Sequence, residues 1–262
     1  MIIGIEMLRI AISAFMLLLN LRRFVTTTPL LHMTDSTENN PLHRRIRSFV
    51  KREGKLTKGQ TNAIDSLWET HGVELDNELL NLDELFGRSA PVVLEIGFGN
   101  GASLAQMAEN HADLNFFGVE VHKPGVGSLL VHVKQRELDN VRVSQDDAVL
   151  VCNQQIPDGS LERVQIFFPD PWHKERHKKR RLIQPPFVET LLKKLKQGGQ
   201  IHVATDWENY AEHILEVLSA NPDLKNTAED YAPKPDYRPG TKYEARGIRL
   251  GHGVWDLVFE KK

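Results

Sequence analysis

Short apolar runs alternate with longer segments of helical periodicity from residue 91 onward. Continuous apolar runs with β-branched residues predict strands of a sheet that is covered on both faces. In chain order, we place these strands at Val92–Ile96, Asn115–Val121, Asn140–Val143, Arg163–Phe168 and Gln200–Ala204. The helices between them are predicted to begin at Ala102 and to cover Pro124–Glu137, Gln184–Lys196 and Asp206–Leu218. Alternating strands and helices indicate a parallel sheet with right-handed crossovers.

The C-terminal pattern differs from this alternation. One strand-like piece lies near Tyr243 and another at Val254–Phe259, and they are joined through Gly251 and Gly253. Two strands joined so briefly must be antiparallel. We therefore expect an α/β, Rossmann-like fold with a mostly parallel seven-stranded sheet and a C-terminal antiparallel hairpin.

The first 43 residues lack this pattern. The apolar run Ile10–Leu19 is shorter than the roughly 20 residues that a membrane-spanning helix needs. Arg22 and Arg23 follow the run, whereas a secretory signal carries its positive charges before it. We interpret residues 1–32 as an extension without a role in function, with an interfacial anchor as the alternative, and expect no stable membrane association. Residues 1–43 are thus predicted to be an extension and flexible tail, and residues 44–262 a single domain.

That domain begins with a basic arm and a helix. Residues 44–58 hold seven Lys or Arg residues and one Glu, a local charge of +6. The run is either a solvated arm or a contact for a polyanion, and its density favours the polyanion because each neutralised phosphate releases counterions. Thr57 and Gln60 have the spacing of a capping box, which predicts a helix from Lys58 to His71 that ends at Gly72.

Composition and charge narrow the class of protein. Of 262 residues, 40% are hydrophobic, which is enough for a substantial core, and the net charge of −2 excludes a globally basic nucleic-acid binder. A second basic segment, Lys174–Arg181, carries +5, and removing both segments leaves −13 on the rest of the chain. We therefore expect a positive face on a negative body. The single cysteine, Cys152, suits a reducing and hence cytoplasmic environment.

The turn after the first strand carries the first candidate chemistry. Its glycines, Gly97, Gly99 and Gly101, have the spacing Gly-x-Gly-x-Gly, whereas a dinucleotide fingerprint requires Gly-x-Gly-x-x-Gly. Glu95 precedes them, and a carboxylate there would repel a pyrophosphate but would pair with a cation. S-adenosylmethionine carries an ammonium and a sulfonium and no phosphate. The turn therefore favours S-adenosylmethionine over a nicotinamide cofactor, with Gly97 and Gly99 letting the backbone approach the ligand.

Acidic residues end the next two strands. Glu120 follows the second strand, where it can accept hydrogen bonds from ribose hydroxyls. Asp146 and Asp147 follow the third, where a carboxylate can meet an adenine amino group. We expect one of these two to bind the ligand and the other to lie in a solvated turn.

The fourth strand runs into Pro169-Asp170-Pro171-Trp172. Strand ends of such sheets face the ligand crevice, and the two prolines predict a stiff, preorganised carboxylate at Asp170. Trp172 offers a face on which a base can stack. His173 and His177 have a spacing seen in metal sites, but their cationic neighbours disfavour a metal, so none is expected.

Together these residues resemble the bacterial tRNA (guanine-N7-)-methyltransferases over about residues 44–260. The motifs that carry the resemblance are Glu95-Ile96-Gly97-Phe98-Gly99, Gly118-Val119-Glu120-Val121-His122, Phe167-Phe168-Pro169-Asp170-Pro171-Trp172-His173-Lys174 and Ala204-Thr205-Asp206-Trp207. Members of that family have a class I methyltransferase fold. They transfer a methyl group from S-adenosylmethionine to N7 of the guanine at position 46, in the variable loop of tRNA.

The resemblance also implies roles for single residues. The cofactor would be bound by Glu95, Glu120, Asp147 and Asp170. The substrate would be contacted by Lys174, Asp206 and the stretch Thr241-Lys242-Tyr243-Glu244. Asp206 is equally well explained as the N-cap of the helix that follows it.

The remaining expectations come from charge and chemistry. The phosphate backbone of tRNA would be bound by Lys174, Arg176, Lys178, Lys179, Arg180 and Arg181. Arg180→Glu should therefore weaken tRNA binding and leave the affinity for S-adenosylmethionine intact. Asp170 would hold the guanine edge and stabilise the positive charge that methylation leaves on the purine. The alternatives are a same-fold methyltransferase that acts on another RNA, a protein or a small molecule, and an RNA-binding module without catalysis. The protein is expected to be a monomer.

Overall fold

An eight-stranded sheet runs through the part of the chain that the computed structural model describes, residues 46–50, 54–241, 244, 249 and 253–262. The strands are β1 (Gly72–Val73), β2 (Val92–Ile96), β3 (Asn115–Val119), β4 (Val141–Ser144), β5 (Leu161–Phe167), β6 (Leu195–Thr205), β7 (Leu224–Asn226) and β8 (Trp255–Lys261). The helices are α1 (Lys58–His71), α2 (Leu82–Phe86), α3 (Ala102–Asn110), α4 (Lys123–Arg136), α5 (Ala148–Gln154), a 3₁₀ helix (Glu175–Arg180), α6 (Pro185–Lys194) and α7 (Glu208–Ser219).

The strand order is β1-β4-β3-β2-β5-β6-β8-β7, and β8 is antiparallel to both of its neighbours while the other pairs are parallel. The chain builds outward from β2 in one direction through β3 and β4, and then in the other through β5 and β6. Such a reversal creates a crevice at the carboxyl ends of the central strands, where ligands of open α/β sheets bind.

Hydrophobic cores cover both faces of the sheet. Successive side chains of a strand point to opposite faces, so Leu94 packs into one core and Val93 into the other. The first core includes Leu191 of α6, and the second includes Leu104 of α3. Burial on both faces explains why the central strands are continuous apolar runs.

Several sequence predictions are confirmed residue by residue. Strand β2 covers the predicted Val92–Ile96, and α1 covers the predicted Lys58–His71. The capping box is present: the Gln60 N–H donates to Thr57 Oγ1 at 3.2 Å, and the Thr57 N–H donates to Gln60 Oε1 at 2.8 Å. The mostly parallel α/β fold and the antiparallel final strand are also as expected.

The sheet differs from the prediction at its edges. The described residues form eight strands where seven were expected, and two of the eight, β1 and β7, were not predicted. The strand predicted near Tyr243 lies outside the described residues, and the neighbours of β8 within them are β6 and β7. Neither β7 nor the short helices α2 and α5 were predicted, because elements of three to seven residues show too little periodicity to be recognised.

The apolar run near the N-terminus also lies outside the described residues. Among the residues that are described, none of the helices has both the length and the apolar character needed to cross a bilayer.

Candidate active site

Two adjoining cavities lie at the carboxyl ends of the central strands. Both are lined by Gly97, Glu120, Phe167, Pro169 and Asp170. The first cavity continues along Val119, Val121, Asp146, Asp147 and Ala148, with Ser48 and Phe49 in its wall. The second continues along Glu95, Gly99, Asn100, Ser103, Gly240 and Thr241. The shared residues make the two cavities parts of one cleft.

The glycine turn between β2 and α3 lies in the middle of this cleft. Gly97 and Gly99 have φ angles of +75° and +63°, in the left-handed region that favours glycine. A Cβ atom at either position would meet nothing within 4 Å, so the space next to the turn is open to a ligand. On the other side, a Cβ at Gly125 of α4 would lie 2.2 Å from the Gly99 carbonyl oxygen. The turn is thus tightly packed against α4 and exposed toward the cleft.

Glu120 fixes the shape of this turn. Its Oε2 accepts a hydrogen bond from the Gly99 N–H at 3.0 Å, and its Oε1 accepts one from the His122 N–H at 3.0 Å. Burial raises the pKa of Glu120, and these backbone donors oppose the shift. The carboxylate therefore organises the turn and lines both cavities, and a contact with the ligand's ribose stays a prediction.

Glu95 is buried, with 2% of its surface exposed. Burial raises its pKa to about 7, even though Gln165 Nε2 donates to Glu95 Oε2 at 2.8 Å and Arg163 lies nearby. An ionised carboxylate in such surroundings would be stabilised by a cationic ligand. The Ser103 hydroxyl lines the same second cavity and is buried without a hydrogen-bond partner. A cationic group and a hydrogen-bonding group on the same ligand, as in the methionine part of S-adenosylmethionine, fit this pair.

Asp146 and Asp147 both lie in the wall of the first cavity. Asp147 is also the N-cap of α5, where its Oδ1 accepts a hydrogen bond from the Val149 N–H at 3.0 Å. This bond holds the carboxylate at the edge of the cavity, on the same side as Glu120. The acids predicted at successive strand ends therefore meet in one place.

Asp170 is exposed on the half-buried segment that follows β5, and it lines both cavities. Two residues that flank its proline pair, Phe168 and Trp172, have φ angles of +53° and +43°. Left-handed backbone at bulky residues is strained and persists only where the surroundings impose it. The prolines predicted a stiff segment, and the structure adds strain on both sides of the carboxylate.

The 3₁₀ helix Glu175–Arg180 places the second basic segment beside this carboxylate. Lys174, Arg176 and Lys179 are exposed, and Lys178 is half-buried with its ammonium 2.7 Å from Glu175. These four cations remain available for phosphates.

Arg181 is different, and its predicted phosphate contact is wrong. It is 3% exposed, and its guanidinium donates to the Pro171 carbonyl oxygen at 3.0 Å and to Asn209 Oδ1 at 2.8 Å. It also lies over the Tyr210 ring, 4.7 Å from the centroid. Arg181 therefore ties the Asp170 segment to the start of α7. No local pattern distinguishes this buried arginine from its exposed neighbours in the basic run.

Trp172 makes contacts that the sequence did not indicate, and base stacking on it stays a prediction. The Arg180 guanidinium lies 4.2 Å from the centroid of its ring. Its indole N–H donates to the Ser48 carbonyl oxygen at 2.9 Å. Trp172 is thus a packing partner of the N-terminal segment.

Asp206 is half-exposed at the end of β6. Its alternative role as a helix cap is wrong, because α7 begins at Glu208, its N-cap residue is Trp207 and no side chain caps it. The Trp207 N–H instead donates to Thr205 Oγ1 at 3.2 Å. A substrate contact by Asp206 stays a prediction.

Thr241 and Glu244 form a local pair at the edge of the second cavity, and Lys242 and Tyr243 lie outside the described residues. The Thr241 N–H donates to Glu244 Oε2 at 3.3 Å, and the Glu244 N–H donates to Thr241 Oγ1 at 3.1 Å. Glu244 is 8% exposed and forms ion pairs with Arg238 at 3.0 Å and Lys234 at 3.1 Å. Of the two described residues of the predicted stretch, Thr241 lines the cleft and Glu244 positions it.

A buried polar network behind the cleft was missed by sequence reasoning. Arg238 donates to Glu244 and, at 2.8 Å, to Asp256 Oδ2. Asp256 Oδ1 lies 2.7 Å from His202 Nε2, and the Tyr237 hydroxyl lies 2.9 Å from His202 Nδ1.

The pKa directions fit this arrangement. Burial lowers the pKa of His202 in spite of Asp256, so the ring is neutral and can donate to one partner and accept from the other. Burial raises the pKa of Asp256, but the bonds from His202 and Arg238 outweigh it and leave the pKa lowered. The one signal in the sequence was the presence of polar residues such as His202 and Asp256 inside predicted strands.

The sheet order, the glycine turn and the acids at the strand ends define a Rossmann-like S-adenosylmethionine-dependent methyltransferase. Among solved structures, the fold is similar to that of the 16S rRNA methyltransferase KamB, with a TM-score of 0.53 and 13% identity over 70% of this chain and 94% of that one. A family profile described as "Putative methyltransferase" matches residues 89–257.

The particular family is shown by close relatives. The tRNA (guanine-N(7)-)-methyltransferase of Psychromonas ingrahamii is 57% identical over 87% of this chain and 94% of its own length. The protein of the same name from Shewanella amazonensis is 59% identical over 83% of this chain and 92% of its own length. The chain belongs to the tRNA (guanine-N(7)-)-methyltransferase family.

Proposed function

We propose that this protein transfers a methyl group from S-adenosylmethionine to N7 of guanine in tRNA, at position 46 of the variable loop. The observation that carries the proposal is the position of Asp170, at the mouth shared by both cavities and followed by an exposed cationic helix. The high identity to relatives that are named for this reaction supports it.

The residues of the cleft divide into two groups by the part of the cofactor that they suit. Glu95 and Ser103, in the second cavity, suit the charged methionine end. Asp146 and Asp147, in the first cavity, suit hydrogen-bond donors of the adenosine end. Asp170 is common to both cavities, so it lies where the two ends of such a ligand would join.

The acceptor requires little proton chemistry. S-adenosylmethionine supplies a methyl group that is activated by its sulfonium, and guanine N7 already presents a lone pair, so no general base is needed. Methylation leaves a positive charge on the purine. Asp170, held between two prolines, is placed to hold the guanine edge and to stabilise that charge without reorganising.

The exposed cations beside Asp170 are the proposed contacts for the phosphate backbone. Lys174, Arg176, Lys178 and Lys179 follow Asp170 closely in the chain and would bind tRNA independently of its sequence. A monomeric, cytoplasmic enzyme without a bound metal is part of the same proposal. The single cysteine supports the cytoplasmic location, and the cationic surroundings of the histidines support the absence of a metal.

The test is methylation of an unmodified tRNA transcript with methyl-labelled S-adenosylmethionine, followed by mapping of the labelled nucleotide. We expect 7-methylguanine at position 46 and no label in a transcript with adenine there. Asp170→Asn should lower the rate by about 100-fold, whereas Asp113→Asn, at an exposed site on the loop before β3, should not. Label in another RNA or in protein would favour the same-fold alternatives. An unchanged rate for Asp170→Asn would refute its catalytic role.

A further inference from the structure

We propose that Ser48 and Phe49 form the outer wall of the cofactor site, against the adenine part of the ligand, and that Trp172 and Arg180 are positioning residues that hold this wall. The inference rests on the proposed function, since the ligand is taken to be S-adenosylmethionine. It adds four residues to the site that neither the glycine turn nor the strand-end acids indicate.

The wall is placed by the cavity itself. Ser48 and Phe49 line the first cavity together with Asp146, Asp147 and the apolar side chain of Leu182. Both wall residues are half-buried, whereas Ile46 and Val50 on either side of them are 53% and 50% exposed. Ser48 and Phe49, in the middle of the segment, therefore face the cleft. An aromatic ring beside apolar side chains and carboxylates is suited to a purine that carries an amino group.

Three hydrogen bonds hold this segment to the other side of the cleft. The Trp172 indole N–H donates to the Ser48 carbonyl oxygen at 2.9 Å. Arg180 donates through Nε to the Arg47 carbonyl oxygen and through a terminal nitrogen to the Phe49 carbonyl oxygen, each at 3.1 Å. Three consecutive carbonyl groups are therefore bound by side chains more than 120 residues away in sequence.

The two donors also support each other. The Arg180 guanidinium lies 4.2 Å from the centroid of the Trp172 ring, and that ring and the His177 ring are in T-shaped contact with their centroids 5.9 Å apart. Ordering each residue of a segment costs backbone entropy, which these bonds offset. Without these bonds, the entropy cost of ordering the wall would be taken from the free energy of cofactor binding, and the affinity would fall.

The two arginines of the 3₁₀ helix, Arg176 and Arg180, are expected to have different roles. Arg180 faces the N-terminal segment with its donors engaged, while Arg176, one turn earlier, is exposed. Loss of Arg180 should therefore weaken cofactor binding, in contrast to the expectation from sequence that it would affect tRNA alone. Loss of Arg176 should affect tRNA alone.

The experiment is titration calorimetry of the full chain with S-adenosylmethionine and with S-adenosylhomocysteine. We expect Phe49→Ala to raise both dissociation constants by about tenfold or more, and Phe49→Tyr to restore affinity to near that of the wild type. Arg180→Met and Trp172→Phe should each raise them by about three- to tenfold, the range for lost hydrogen bonds. Arg176→Met, the matched control, should leave them unchanged and weaken binding of tRNA instead.

Steady-state kinetics give a second readout that a general loss of structure would not imitate. KM for S-adenosylmethionine should rise in the wall variants, while kcat at saturating cofactor stays within about twofold of the wild type. If wild-type protein binds the cofactor and Phe49→Ala binds it equally well, the wall is refuted and the proposed function stands. If wild-type protein does not bind the cofactor, the proposed function itself fails. Should Arg180→Met fail to fold, the Phe49 variants alone decide the matter.

Discussion

Replacing Glu95 by glutamine should stabilise the ligand-free protein while impairing its function. Glutamine has nearly the shape of glutamate, and its carbonyl oxygen can still accept the bond that Gln165 Nε2 donates at 2.8 Å. What changes is the charge. Glu95 is buried, and burial raises its pKa from 4.5 to about 7.

The size of the effect follows from that shift. Because the pKa in the folded protein lies above that in the unfolded chain, the folded state holds more protons between the two values, and stability falls as pH rises from 4.5 to about 7. At 1.36 kcal/mol per pKa unit, ionised Glu95 costs the folded protein about 3 kcal/mol above this range. Below pH of about 4.5 Glu95 is protonated in both states, so this destabilisation is absent. Glu95→Gln removes the cost, so its advantage over the wild type should grow by about 2–3 kcal/mol between pH of about 5 and about 8.

The assay is urea denaturation of the ligand-free wild type and variant at these two pH values. Glu69→Gln, at an exposed position of α1, is the control and should show no such growth. The same Glu95→Gln protein should bind S-adenosylmethionine about tenfold to a hundredfold more weakly, because a charge-assisted contact is lost. If the difference in unfolding free energy between the wild type and Glu95→Gln does not change with pH, the argument that ionised Glu95 destabilises the folded protein is refuted.

Other predictions test the network, the turn and the cationic surface. Arg238→Met should lower the free energy of unfolding by about 3–5 kcal/mol in urea denaturation, because it removes the buried cation that Glu244 and Asp256 share. Lys234→Met, at a more exposed partner of Glu244, should cost less than about 1 kcal/mol. Gly125→Ala should weaken cofactor binding in calorimetry by about tenfold or more, since its Cβ would displace the Gly99 carbonyl oxygen, and unchanged affinity would contradict that packing. If about four phosphates are neutralised, the affinity for tRNA should fall about 100-fold between roughly 50 and 200 mM salt, as measured by filter retention. An affinity that does not change with salt would show that these cations do not contact RNA.

The central elements were predictable because local signals and burial agree there. Strand β2 is fully buried, so its sequence is apolar apart from Glu95, and it is bounded by Pro91 and Gly97. Helix α1 was fixed by the capping box of Thr57 and Gln60. By contrast, β1 and β7 are two- and three-residue strands that exist because β4 and β8 offer edges to pair with, which no local pattern reveals.

The candidate site was predictable to the extent that it depends on strand ends. Glu120, Asp147 and Asp170 follow central strands and Glu95 is the penultimate residue of β2, and parallel strands bring their carboxyl ends to one edge. Their meeting in one cleft is therefore a consequence of the alternation of strands and helices in the sequence.

The sequence by itself determined the sheet, the glycine turn and the kind of chemistry at its edge, because these follow from local periodicity and from residue types next to strand ends. Only the tertiary structure decided which charges face solvent and which are buried. Arg176 and Arg181 are indistinguishable in a basic run, yet one is exposed and the other is bound to Pro171 and Asn209. It likewise decided that Arg180 holds a segment more than 120 residues away, since such contacts depend on the folded path of the chain and leave no periodic trace in it.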